Sequence, residues 1–351
     1  MKPPTEHQAI RQVAERLAEL LDIAPSDAEI RRPPARLSMD ALIDVGRRTF
    51  AVEWRATSAA APVAMAAEQV RESAAEVGSD VVPLVAVPFM GQVGRQQCQE
   101  AGVGWLDLSG NARISAAGIR VLVKGQPNRF KRRGRPSSVF APKSARIARW
   151  LLLHPHHPMS QREIAQATDM DEGFTSRIVS RLEDDQLIRR LEDGSVTVRD
   201  PDLLLDAWGE DYEFSKHRIL RGHAAARSGD ALLGQLSERL RMEDIPYAAT
   251  GLAAAWRMTR FAAFRIVTLY LGGVPGQAVL ERLGIREEEQ GANVWLVLPN
   301  DQGVFHGATD WKGVRCVHPV QVYLDLLAHP ERARDAAERI RQEYLNWRTD
   351  G

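Results

Sequence analysis

From Leu108 to Arg162 the sequence contains no acidic residue, yet it holds Arg113, Arg120, Lys124, Arg129, Lys131, Arg132, Arg133, Arg135, Lys143, Arg146, Arg149 and Arg162. Lys+Arg and Asp+Glu each number 46, so the chain is neutral overall and the imbalance lies in placement alone. At the centre of the tract, Arg129-Phe130-Lys131-Arg132-Arg133-Gly134-Arg135-Pro136 sets glycine and proline among the cations. Both residues interrupt regular structure, so residues 126–141 are expected to link two separately folding parts. Unopposed cations on a linker and on the helix behind it suit a phosphate backbone.

Behind the linker, Pro142 opens a predicted helix to Leu153, with Ile147, Trp150 and Leu151 at core spacing and Pro155 ending it. Ser160-Gln161-Arg162-Glu163 is a capping box, in which hydroxyl and carboxylate satisfy amides left open at a helix start. After a turn at 168–171, the segment Glu172 to Asp185 places Phe174, Ile178, Val179 and Leu182 on one side and Thr175, Ser176, Arg177, Ser180 and Arg181 on the other. Two short helices, the second offering Ser, Thr and Arg outward, meet the requirement for reading a major groove. Leu187-Ile188-Arg189-Arg190-Leu191 and Ser195-Val196-Thr197-Val198 then flank Glu192-Asp193-Gly194, a hairpin signal that supplies the wing.

Over residues 142–201 this order resembles the winged-helix repressors of the MarR-like kind. The Arg-Gly-Arg-Pro core of the linker resembles an AT-hook, which lays extended backbone in a narrow minor groove. The DNA-contacting residues expected are Arg129, Lys131, Arg132, Arg133, Arg135 and Lys143, with Ser160, Gln161, Arg162, Thr175, Ser176, Arg177, Ser180, Arg181, Arg189 and Arg190.

The first 125 residues alternate helical and strand patterns: a helix at 6–21, strands at 37–45 and 47–55, a helix at 59–76, a buried strand at 81–89, a helix at 92–101, and strands from Trp105 to Lys124. Asp44, then Glu53-Trp54-Arg55, then Gln69 on the following helix resemble the PD-(D/E)XK nuclease core. That core uses two carboxylates to hold a divalent metal and a lysine beside the attacking water. Here arginine stands in the lysine position, and its fixed charge and larger bulk do not substitute for an ammonium. The resemblance therefore implies a degenerate nuclease-like domain with no catalytic residues and no bound metal.

The last 140 residues contain Tyr247 to Trp256, a strand ending at Leu271, Gly291 to Pro299, Val317 to Leu326 and a closing helix carrying Ala333, Ala336, Ala337 and Ile340. The phrases TGLAAA, GANVWLV and PVQVYLDLLAHPERARDAAERIR resemble the C-terminal domain of AbiEi-type antitoxins, the regulators of type IV toxin-antitoxin systems. The resemblance implies autorepression and opposition to a nucleotidyltransferase-like toxin. His306 and His318 stand isolated, and Asp325 inside an apolar run is expected to be a helix-face or cap residue.

The fold class expected is multi-domain α/β: a nuclease-like part (1–125), the basic linker (126–141), a winged helix-turn-helix (142–208) and an α/β C-terminal domain (209–351). A composition with 44% hydrophobic and 26% charged residues excludes a disordered chain. Cys98 and Cys316 are the only cysteines, too few and too distant for a disulfide framework or zinc site. With no apolar run of ~20 residues and no signal-type start, a cytoplasmic location is expected. Double-stranded DNA is the partner expected, with a toxin and a second copy of the chain as further candidates and no cofactor. Two alternatives stay open: a metal-dependent nuclease targeted by the winged helix, and a protein-binding adaptor.

Overall fold

The computed structural model describes residues 3–130, 138–327 and 333–347, so Lys131, Arg132, Arg133 and Arg135 lie outside the described residues. The chain divides into two compact units, Met1–Pro136 with Asp184–Leu187, and Ser137–Glu183 with Ile188–Gly351.

The first unit is built from α1 (Glu6–Leu20), β1 (Ala28–Arg31), β2 (Ala41–Val45), β3 (Arg48–Trp54), α2 (Ala60–Val77), β4 (Val82–Val87), α3 (Gln92–Glu100), β5 (Gly104–Asp107), β6 (Ala112–Ala116) and β7 (Ile119–Val123). Its seven strands lie side by side in chain order. β3, β4 and β5 run parallel because α2 and α3 serve as crossovers, while the outer pairs are antiparallel hairpins. β4 is apolar throughout, as a strand covered on both faces must be. Ile43, Phe50, Val52, Leu84 and Leu106 pack under α1, and Leu42, Ala51, Val85, Val87 and Trp105 pack under α2 and α3. Two details depart from the sequence expectation. β2 starts at Ala41, since Leu37 is taken up in a turn onto the Pro34 carbonyl. The edge strand β1 has no sequence signal, because three of its four residues are exposed.

The second unit begins with α4 (Ala145–Leu153), α5 (Gln161–Thr168), α6 (Glu172–Asp184), β8 (Ile188–Arg190), β9 (Val196–Val198) and α7 (Pro201–Asp211). It continues with β10 (Arg218–His223), α8 (Gly229–Met242), β11 (Tyr247–Thr250), α9 (Gly251–Thr259), β12 (Val267–Leu271), α10 (Gln277–Leu283), β13 (Arg286–Glu287), β14 (Val294–Leu298), β15 (Thr309–Trp311), β16 (Val314–Cys316), α11 (Pro319–Leu327) and α12 (Ala333–Tyr344). The second mixed sheet has the order β13-β10-β14-β12-β11-β16-β15. At the β11–α9 junction the chain turns through Gly251 at φ +58, a left-handed conformation that glycine adopts without a Cβ penalty. α4 packs against both α7 and α11, so the helix-turn-helix and the α/β part share one core. No helix among the described residues is long and apolar enough to cross a membrane.

Candidate nucleic-acid interface

Local chemistry fixes the helix-turn-helix. Ser160 Oγ accepts from the Glu163 amide at 3.2 Å and Glu163 accepts in return from the Ser160 amide at 2.7 Å, starting α5 at the expected box. Asp169 turns left-handed after α5, and Asp171 Oδ1 accepts from the Phe174 amide at 2.7 Å at the start of α6. β8 and β9 pair antiparallel, and Gly194 at φ +81 closes the wing turn.

α6 buries Thr175, Ile178, Val179 and Leu182 and exposes Arg177 and Ser180, with Ser176 and Arg181 half-buried. Thr175 corrects the sequence expectation: it is 0% exposed and cannot meet DNA from this position. Its spacing to Ile178, Val179 and Leu182 is i, i+3, i+4 and i+7, a single helix face. Phe174, expected in the core, sits half-exposed at the edge, where Lys143 and Arg177 each lie 5.7 Å from its ring centroid. An aromatic face between two cations holds them by cation–π attraction without neutralising them.

The other expected residues divide by their partners. Arg189 is exposed on the wing, and Arg129 is exposed in the first unit. Arg162 is exposed and 3.8 Å from Glu172. Arg190 joins Glu183 at 2.9 Å and the Gly194 carbonyl at 3.1 Å, bracing the wing against α6. With its amide oxygen turned toward Arg190, Gln161 accepts from it at 3.1 Å and donates to Ser176 at 3.2 Å. Two cations of the basic tract face inward instead. Arg146 pairs with Asp301, and Arg149 is 3% exposed, stacked 5.0 Å over Trp208 and hydrogen-bonded to Gln321.

Arg149 enters a buried polar cluster. Asp325, fully buried, accepts from Tyr270 at 3.1 Å and Gln321 at 2.7 Å, and also from Tyr212 and Thr250. Four donors converging on one carboxylate suit its ionised form, although burial raises its pKa to about 6. His217 Nδ1 accepts from the Asn300 amide at 3.1 Å, leaving Nε2–H to face the Tyr212 and Tyr270 hydroxyls. Burial and the Arg149 charge depress this histidine to about 4, so it is neutral. Asp325 is therefore the centre of a network and not the helix-face or cap residue expected. Its i, i+4 spacing from Gln321 inside an apolar run is the readable signal.

In the first unit, the expected pairing of Asp44 with Glu53 does not form. Asp44 is gripped by Arg31 and Thr49, and its register partner Thr49 lies four residues, roughly 13 Å of strand, from Glu53. Asp40 stands near Glu53 in its place, accepting from the Trp54 amide at 2.7 Å. Burial pushes Glu53 up to about 7, the Asp40 and Glu6 charges adding to the effect and Arg55 opposing it. Arg55 pairs with Glu53 Oε1, and its other nitrogen donates to Gln69 at 3.0 Å. The guanidinium already supplies the cation that a metal would bring. Among the described residues no group of three or more His, Cys, Asp or Glu is placed to hold a metal ion.

Two known families match parts of the second unit. Residues 197–346 match the family described as transcriptional regulator, AbiEi antitoxin, type IV TA system. Residues 145–207 match the Crp-like helix-turn-helix domain. The C-terminal resemblance seen in the sequence is thus shown, while the helix-turn-helix matches a Crp-like description where its sequence resembled the MarR-like kind. No curated protein matches the chain.

Proposed function

We propose that this chain, with an AbiEi-type regulator region behind a helix-turn-helix, binds operator DNA sequence-specifically and represses its own operon as the antitoxin of a type IV toxin-antitoxin system. The observation that carries the reading is α6, a capped helix whose outer face offers Arg177, Ser180 and Ser176 while its inner face is locked into the core. Such a helix lies in the major groove, where arginine grips guanine through two hydrogen bonds. Lys143, Arg162 and Arg189 would meet phosphates beside it, with the linker cations Arg129, Lys131, Arg132, Arg133 and Arg135 adding charge.

The domains proposed remain 1–125, 126–141, 142–208 and 209–351, the first a nuclease-like fold that does not cut. The toxin opposed is proposed to be nucleotidyltransferase-like, and a homodimer is proposed because regulators commonly read two half-sites. A transcriptional reporter fused to the sequence upstream of its own gene tests the reading. Expression of the chain should lower reporter output, and Arg177→Ala should restore it; undiminished output with the wild-type chain would refute autorepression.

A further inference from the structure

On the α/β part of the second unit, away from the helix-turn-helix, a cleft of about 580 Å³ opens among α8, α9 and the β15–β16 hairpin. Its size is that of small-molecule sites. Glu238, Arg241 and Met242 of α8, Arg257 of α9, and Lys312 and Val314 of the hairpin line it. Three cations thus face one carboxylate.

The cations are incompletely satisfied. Arg257 is only 12% exposed, and its Nε has no hydrogen-bond partner among the described residues. Its counterion among the described residues, Asp230 at 3.1 Å, also lies 3.8 Å from Arg260. Among the described residues, the bonds of Arg241 are long, 3.3 Å to the Ser237 carbonyl and 3.4 Å to that of Gly313. Lys312 occupies the hairpin turn at φ +52, where asparagine or glycine is favoured. The chain tolerates that conformation and sets an ammonium at the rim. The nearby carboxylate Asp310 is turned to the Gly313 amide at 2.8 Å.

We propose that this cleft binds a phosphorylated small molecule whose occupancy changes the grip of the winged helix on DNA, an inference that rests on the regulator reading above. Arginine and lysine together take a phosphate. Glu238 accepts hydrogen bonds only, so the ligand must also carry hydroxyl or amino donors, and Met242 and Val314 give it an apolar rest. A sugar phosphate and a nucleotide share this chemistry. A hydrogen-bonded chain leads from α9 toward the helix-turn-helix: Thr250, at the N-cap position of α9, donates to Asp325, Asp325 accepts from Gln321, and Gln321 accepts from Arg149 of α4.

The test uses the full chain, titrated calorimetrically with ribose 5-phosphate, adenosine 5′-monophosphate and inorganic phosphate, and then operator binding with and without each. Arg241→Glu and Lys312→Glu serve as variants, because both side chains are exposed and their loss should leave the fold intact. At least one ester should bind, about tenfold more weakly to either variant, and should shift operator affinity by at least about threefold in the wild type only. Absence of ester binding at millimolar concentration, or equal binding to the variants, would overturn the site. Inorganic phosphate binding as tightly as the esters would overturn the ester assignment, and unchanged operator affinity would overturn the coupling. If the esters bind but the chain shows no preference for its own upstream DNA, the regulator reading fails and the coupling with it, while the cleft stands.

Discussion

Arg146 Nε donates to Asp301 Oδ1 at 2.7 Å, joining α4 to the loop after β14 across 155 positions of sequence. The same carboxylate oxygen accepts from the Gly303 amide at 2.7 Å, and Arg146 also reaches the Thr168 carbonyl at 3.3 Å. The pair ties α4 and the end of α5 to the α/β part. Asp301→Ala should cost ~2–4 kcal/mol, because it strands a mostly buried guanidinium and uncaps a turn. Arg146→Met combined with Asp301→Ala should cost less than the sum of the two, by ~1–3 kcal/mol, in urea unfolding. Additive losses would show that the pair does not couple.

Asp325 should tolerate replacement poorly, since a carboxamide keeps one acceptor oxygen and puts an NH2 where the other oxygen now accepts, so the four donors can no longer all be met. Asp325→Asn is expected to lose ~3 kcal/mol. Because a linked core would transmit the damage to α4 through Gln321, operator affinity should fall as well at a temperature where the variant is fully folded. Normal affinity in the folded variant would confine Asp325 to a structural role.

Glu53 gives a pH signature. Its folded pKa of about 7 lies above the ordinary 4.5, so the folded state holds the proton more tightly. The wild type therefore loses stability as pH rises through that interval, and Glu53→Gln does not. The variant's Tm relative to wild type should rise from pH 5 to pH 8. Parallel curves would mean that Glu53 is not held as described.

Much of the fold is legible in the sequence because its causes are local. Capping boxes, the Asp193-Gly194 turn and amphipathic spacing place α5, α6 and the wing to within a few residues. What stays hidden depends on register and distant packing. Asp44 and Asp40 look equivalent until strand pairing sends one to Arg31 and sets the other near Glu53. Likewise Arg146 and Arg149 count as free cations until Asp301 and Gln321, far along the chain, meet them. Thr175 looks outward-facing by its polarity, whereas its helical phase puts it inside.

Divalent metal should not matter to the first unit, given that Arg55 already pairs with Glu53. Plasmid and linear DNA should survive incubation with Mg²⁺ or Mn²⁺, and neither ion should raise Tm. Cleavage that disappears in Glu53→Ala would reinstate the nuclease alternative.

The most direct test of sequence-specific reading through α6 is fluorescence anisotropy of the full chain on its own upstream duplex and on a scrambled duplex, across a salt series. Arg177→Ala should cost ~1–3 kcal/mol on the cognate duplex and little on the scrambled one. Replacing Arg132, Arg133 and Arg135 with alanine should weaken both and flatten the salt dependence by roughly one unit for each phosphate no longer neutralised. Equal, salt-independent losses on the two duplexes, or no cognate preference in the wild type, would contradict the account.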